Sequence, residues 1–184
     1  PRIHYPLSVQ ALKETKQRWC QFVFEQIMKV IGPEGTLLVG AFTYACGNIR
    51  VPFVLEESPS ELGPFTEWLR KKEGSIRSIH PIFSVVGFGP KAGQVLTNNG
   101  PAGFGPCSPF GRLRDVNAKF VTLGVPFHLS ITYLHHLEQC FGCNHRYHKV
   151  IKTPVFQGGA EVKMLFLSYL RWYGLDACRD FRAC

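Results

Sequence analysis

Nowhere do these 184 residues approach the run of roughly 20 apolar residues that a membrane-crossing helix needs. Acidic residues are scarce as well: 13 Asp and Glu stand against 21 Lys and Arg, a formal charge of +8. So basic a chain is expected to meet an anion, whether nucleic acid, an anionic membrane surface or a polyphosphate cofactor. The basic residues are dispersed, however, and the densest cluster is only Arg70-Lys71-Lys72. There is no RNP pattern, no helix-turn-helix signal and no complete zinc-finger pattern, so neither nucleic acid nor a membrane is expected as a partner. Internal repeats, heptads and low-complexity segments are absent too. The opening residues, PRIHYP, are neither an initiator Met nor a signal peptide, which suggests a fragment or a processed piece.

What is present points to a globular chain. Hydrophobic residues make up 45% and charged residues 18%, and the length suits a single domain over 1–184 with a real core. Seven cysteines are an odd, scattered set in a chain too large to depend on a disulfide scaffold. A reducing cytoplasm is the expected location.

Ser8 can cap a helix from about Val9 to Ile31, with Phe22, Val23, Ile27, Val30 and Ile31 at near-helical spacing. Gly32-Pro33-Glu34-Gly35 stops it, and Thr36–Phe42 reads as a buried strand. Ala45–Pro64, rich in Pro, Gly and Ser, is expected to be a long loop. A short helix over Phe65–Lys72 would turn Phe65, Trp68 and Leu69 to one side, and Ile82–Gly87 reads as a further strand. The stretch 97–111 is too rich in Gly, Pro and Asn to be regular throughout. Phe120, Val121 and Leu123 look like a buried strand that breaks at Gly124. A helix over Ala160–Gly174 would turn Met164, Leu165, Leu167 and Leu170 inward. Alternating helices and apolar strands argue for an α/β protein.

Several groups of residues could carry chemistry. Past the Gly124 break, Thr132-x-x-His135-x-x-Glu138 would form one polar stripe on a helix, because residues three apart share a face. Open α/β sheets place ligands beyond the carboxyl ends of strands, and that is where the stripe falls. A carboxylate beside an imidazole fixes its tautomer and stabilises the imidazolium, as general-base chemistry requires. The same pattern also fits a plain polar helix face. His136 points about 100° away from His135 and is expected to be a bystander.

Arg77-Ser78-Ile79-His80-Pro81 displays guanidinium, hydroxyl and imidazole on one loop, with Pro81 forcing His80 toward an extended conformation. Gly103-Phe104-Gly105-Pro106-Cys107-Ser108-Pro109 could bring backbone N–H groups to a pyrophosphate. It matches neither the Rossmann nor the P-loop pattern and reads most simply as a turn-rich connection. Cys140-x-x-Cys143-x-His145-x-x-His148 offers four zinc-capable ligands, more tightly spaced than in a finger, so crowding argues against a metal. A redox CxxC is the other reading of that pair, without the helix a thioredoxin site needs. Cys46 and Cys107 would be nucleophiles only with a base alongside.

In order, these pieces resemble the aminoglycoside 3-N-acetyltransferase family, the acetyl-CoA-dependent type distinct from the GNAT fold. The resemblance is carried by GPEGTLLVGAFTY (32–44), SPSELGPFTEWLRKKEGSIRSIHPIFSVVGFGPKA (58–92), FGPCSPFGRL (104–113), KFVTLG with TYLHHLE (within 119–138) and HRYHK (145–149), and covers roughly residues 20–175. It implies an α/β fold with a central mixed sheet flanked by helices, here without its amino-terminal strand. It also implies direct acetyl transfer from acetyl-CoA to a primary amine of an aminoglycoside or related amino sugar. His135 would be the base, Glu138 would orient it or hold the amine, and Thr132 would lie close by. Arg77, Ser78 and His80, with Thr43 at the end of the first strand, would border the coenzyme.

The charge balance tells against polycationic aminoglycosides, and His128 stands where the family often has an acid. The family's His-Ser-Ser-type segment is missing, and Asn98 and Asn99 lie near where a His is common. A catalytically inactive CoA-binding or scaffolding relative is the alternative, and a zinc-stabilised module the second.

Overall fold

The computed structural model describes residues 9–172. The chain opens with α1 (Val9–Ile31) and continues through β1 (Leu37–Gly40), β2 (Phe53–Val54), α2 (Pro64–Lys71), β3 (Ile76–Arg77) and β4 (Val85–Phe88). Three short helices follow, α3 (Ala92–Leu96), α4 (Pro109–Arg112) and α5 (Phe127–Ser130), then α6 (Tyr133–Cys140). Four strands complete the described residues: β5 (Arg146–Ile151), β6 (Val155–Gln157), β7 (Ala160–Glu161) and β8 (Phe166–Arg171). The mixed α/β class holds, with the sheet content divided into three small sheets. Their strand orders are β1-β4-β3, β2-β6-β7 and β5-β8, and β2 with β6 is the parallel pair. No described helix is long and apolar enough to cross a membrane.

The first helix ends where its chemistry says it should. Gly32 takes φ +74, which L side chains avoid, and its N–H closes the last turn on the Met28 carbonyl at 2.9 Å. Its buried face is not the expected one. Cys20 is buried, and Phe24 and Met28, at four-residue steps from it, pack in one cluster with Trp68 and Phe88, whereas Phe22 is 60% and Val30 86% exposed. Both stripes have helical spacing, and contact with α2 and β4 selects between them. Pro64, expected to end the loop, is instead the first residue of α2 after Gly63, one residue ahead of the expected start, and Leu69 on this helix is fully buried.

Two expected elements are overturned. Residues 160–172 are the strands β7 and β8, not a helix; residues 173 and 174 lie outside the described residues. Phe166 and Ser168 are each 1% exposed while Leu165 is 72% exposed, the alternation of a half-buried strand. Pairing along all of β5, from Arg146 with Arg171 to Ile151 with Phe166, supplies the hydrogen bonds that favour the extended form. The other is the strand at 120–123, which is irregular and exposed: Phe120 45%, Val121 79%, Leu123 64%. It pairs with no strand among the described residues.

One core cluster positions the polar groups considered next. Phe42, Val85, Val95, Leu96, Phe104, Phe110 and Tyr169 join β4, α3, α4 and β8. Phe104 is fully buried and reaches Phe83 (ring centroids 4.6 Å) and Phe110 (5.1 Å). Gly103 lets this happen, since a Cβ there would lie 2.8 Å from Phe83 Cδ2 and 3.1 Å from His80 Nε2. The 103–109 loop is therefore a packing element between the two histidine sites.

Candidate active site

Helix α6 begins at Thr132, which stands at its N-cap without a side-chain cap hydrogen bond. The expected single helix is thus divided, with Ile131 between α5 and this cap. Two contacts seat α6. The buried His136 donates from Nδ1 to the Phe104 carbonyl at 2.7 Å, so it is a structural anchor. From β8, the Tyr169 hydroxyl donates to the Glu138 carbonyl at 3.2 Å and to that of Cys143 at 3.4 Å, satisfying acceptors at the end of the helix.

With α6 seated in this way, His135 and Glu138 face the start of β5. His135 Nδ1 lies 2.9 Å from Glu138 Oε2, and its ring stands edge-on to Phe104 at 5.3 Å. Arg146 brings Nε to 2.7 Å from the same Oε2, a charge contact without hydrogen-bond alignment, and its Nη2 to 2.9 Å from His135 Nδ1. His145 Nε2 donates to Glu138 Oε1 at 3.2 Å. Nδ1 thus lies at the same distance from an acceptor, Glu138 Oε2, and a donor, Arg146 Nη2, and it either donates to the first or accepts from the second. With the proton on Nδ1, Nε2 is the basic nitrogen, and it has no hydrogen-bond partner among the described residues.

The side chains are 35% exposed at His135, 21% at Glu138, 6% at Arg146 and 7% at His145, so the His135 ring reaches solvent while Arg146 and His145 are buried behind it. Burial lowers the His135 pKa, the Glu138 hydrogen bond opposes this, and the Arg146 and Arg171 charges reinforce it. Burial works against Glu138 ionisation, but the His135 bond, the Arg146 charge and His145 outweigh it and hold the carboxyl below its ordinary range. A neutral imidazole beside an ionised carboxylate can accept a proton at neutral pH.

The second group lies across the Phe83–Phe104 pair. His80, 3% exposed, accepts at Nδ1 from the N–H groups of Ile82 (3.2 Å) and Phe83 (2.9 Å), and Nε2 donates to the Leu167 carbonyl at 3.3 Å. Burial pushes it down to about 4. Ser78 accepts from the Val85 N–H at 2.8 Å. Arg77 donates to the carbonyls of Leu55, Ser58 and Ala41, to Ser84 Oγ, and to Thr43 Oγ1 at 3.0 Å, over the ring of Phe53. Burial, with Arg70 nearby, brings this guanidinium to about 10, so it stays charged. Thr43 in turn donates to the Pro59 carbonyl at 2.7 Å. Arg77 and Thr43 thus share one network tying β1 to the 52–60 loop, whereas Ser78 and His80 are bound separately to main-chain groups of Val85 and of Ile82, Phe83 and Leu167.

The zinc reading is corrected. Cys140 lies 3.7 Å from His136 Nε2, His145 serves Glu138, and His148 packs on the Tyr169 ring at 5.0 Å. Among the described residues no three metal-capable side chains converge. Sequence reasoning assigned no role beside His135 to Arg146 or Arg171. Only the need of a half-buried Glu138 for a cation could have signalled Arg146.

The aminoglycoside 3-N-acetyltransferase family model matches residues 7–183. Aminoglycoside N(3)-acetyltransferase VII of Streptomyces paromomycinus is 37% identical over 87 residues, 46% of this chain and 30% of that protein. Among solved structures, aminoglycoside acetyltransferase AAC(3)-Xa superposes with a TM-score of 0.72 at 26% identity, covering 84% of this chain and 61% of its own. AAC-IIIb, solved as a binary complex with CoASH, superposes with a TM-score of 0.69 at 24% identity over 84% of this chain and 63% of its own. The chain spans less than two thirds of the length of each.

Proposed function

Because the chain belongs to the aminoglycoside 3-N-acetyltransferase family, we propose that it transfers the acetyl group of acetyl-CoA to a primary amine of an aminoglycoside or related amino sugar. One observation carries the reading: His135 Nδ1 lies 2.9 Å from the carboxylate of Glu138, and with its proton held there Nε2 is the basic nitrogen. An ammonium cannot attack a thioester until it loses a proton. His135 Nε2 takes that proton as the amine nitrogen bonds to the thioester carbonyl carbon. The carbon–sulfur bond then breaks, and CoA leaves as a thiolate that is protonated afterwards. Thr132, one helical turn before His135, lines the same end of α6. Thr43, Arg77, Ser78 and His80 have their polar atoms satisfied internally, so their part is to shape the frame the coenzyme docks against rather than to grip it. The net charge of +8 suits the coenzyme's phosphates. The cytoplasm, where acetyl-CoA and reduced thiols occur together, is the location this reading favours.

The test is CoA thiol release from acetyl-CoA with a panel of aminoglycosides and simple amino sugars. His135→Ala should abolish release while acetyl-CoA still stabilises the protein thermally. Full turnover by that variant would overturn the base assignment. Thermal stabilisation by acetyl-CoA without transfer to any amine would favour a non-catalytic CoA-binding relative.

A further inference from the structure

We propose that Arg146 is the positioning residue of this site, holding the Glu138 carboxylate beside His135 by its charge and disfavouring a second proton on the imidazole. The inference rests on the reading of His135 as a base, and deepens it. Its grounds are geometric. Arg146 is 6% exposed and reaches both members of the pair, 2.7 Å from Glu138 Oε2 and 2.9 Å from His135 Nδ1. A second proton on His135 would place an imidazolium against that guanidinium.

The hairpin gains little from an arginine at this position. Arg146 faces Arg171 directly across the β5–β8 ladder, and like charges opposite one another oppose strand pairing. Its remaining contacts, a 3.5 Å bond from Nη1 to the Tyr169 carbonyl and the Tyr169 ring at 5.5 Å, leave its charge directed at α6. The groups around His135 and Glu138 fall into two sets. His145 from the lead-in to β5 binds the other carboxylate oxygen, and Arg171 from β8 adds positive charge. Tyr169 from β8 bonds only the main chain of Glu138, His136 and Cys140 pair with each other on α6, and Cys143 lies beyond its end. Of these, Arg146 alone contacts acid and base at once.

The consequence is a base that stays neutral below the ordinary imidazole value, with activity rising as pH climbs through that lowered value. Removing Arg146 takes away a neighbouring positive charge and leaves Glu138 less neutralised. Both changes move the midpoint upward. The experiment measures the acid limb of kcat/KM against pH, and the NMR titration of the His135 ring, in wild type, R146A, R146Q and R146K. R146A and R146Q should raise both midpoints by about one pH unit, with a fall in kcat and little change in KM for acetyl-CoA. R146K, which keeps the charge, should stay near wild type. Should R146A fail to fold, the ring titration in R146Q and R146K decides. Unmoved midpoints in a folded, charge-free variant would overturn the proposal and leave Arg146 a structural ion-pair partner. Failure of the base reading looks different: H135A would retain turnover while the ring titration in R146Q still shifted.

Discussion

His80 and His135 lie on opposite sides of one aromatic pair, and burial lowers the pKa of each. Their environments nevertheless suit them to opposite tasks. His80 has both ring nitrogens bonded to main-chain groups and no path to solvent, so its proton has nowhere to go. His135 has one nitrogen bound to a carboxylate and the other without a partner among the described residues. A lowered pKa alone therefore does not mark a base. An accessible lone pair with an oriented opposite nitrogen does.

Four experiments would break or sharpen this contrast. The largest effect belongs to His135→Ala, expected to lower kcat by about 10²- to 10⁴-fold with little change in melting temperature, read by CoA release and calorimetry. If melting fell as far as activity, the two histidines would be alike after all. Next is Phe104→Ala, which hollows out the partition between them and should cost about 3–5 kcal/mol in denaturant unfolding, with activity falling alongside.

His80→Ala should act on stability before chemistry. It leaves the buried N–H groups of Ile82 and Phe83 without their acceptor, at about 1–3 kcal/mol for such a group, while the Leu167 carbonyl keeps its bond from the Gly103 N–H. The pH dependence has a definite sign. Folded His80 stays neutral down to about 4, whereas the unfolded residue titrates near the ordinary imidazole value of 6.5. The unfolded state thus binds the proton first, and stability falls as pH drops from about 6.5 to about 4. His80→Ala should flatten that slope in urea unfolding; an unchanged slope would reject the locked-neutral account.

The smallest effect is at Glu67, remote from both histidines and a control for them. It accepts from the Ser60 N–H at 2.8 Å and from Arg70 Nη2 at 2.7 Å, with Lys71 at 2.9 Å. Burial opposes its ionisation, but these bonds win and hold it at about 2. Its contribution is present above the ordinary carboxyl value of 4.5 and is lost as pH falls from there through about 2. Glu67→Gln should weaken the protein above pH 4.5 but hardly below 2, with the His135 titration unmoved. A shift there would mean that the two regions communicate.

Where local chemistry is unambiguous, the fold could be read in advance. Gly32 with Pro33 stops α1, because these residues act on their own backbone whatever surrounds them. The His135–Glu138 contact was legible for the same reason, since three residues along a helix is a local distance. The segments 120–123 and 160–172 were not. An apolar run such as FLSYL satisfies a helix and a strand equally, and the choice falls to whichever partner supplies backbone hydrogen bonds. For 166–171 the partner is β5; for 120–123 there is none among the described residues.

The same division runs through the site. Residue order alone was enough to place a histidine and a carboxylate on one helical face and to point to their family. Chain folding determined that the polar atoms of Arg77, Ser78, His80 and Thr43 are bound internally, and that Arg146 meets Glu138. Burial and long-range charge pairing depend on elements that meet only after packing, and no local spacing encodes them.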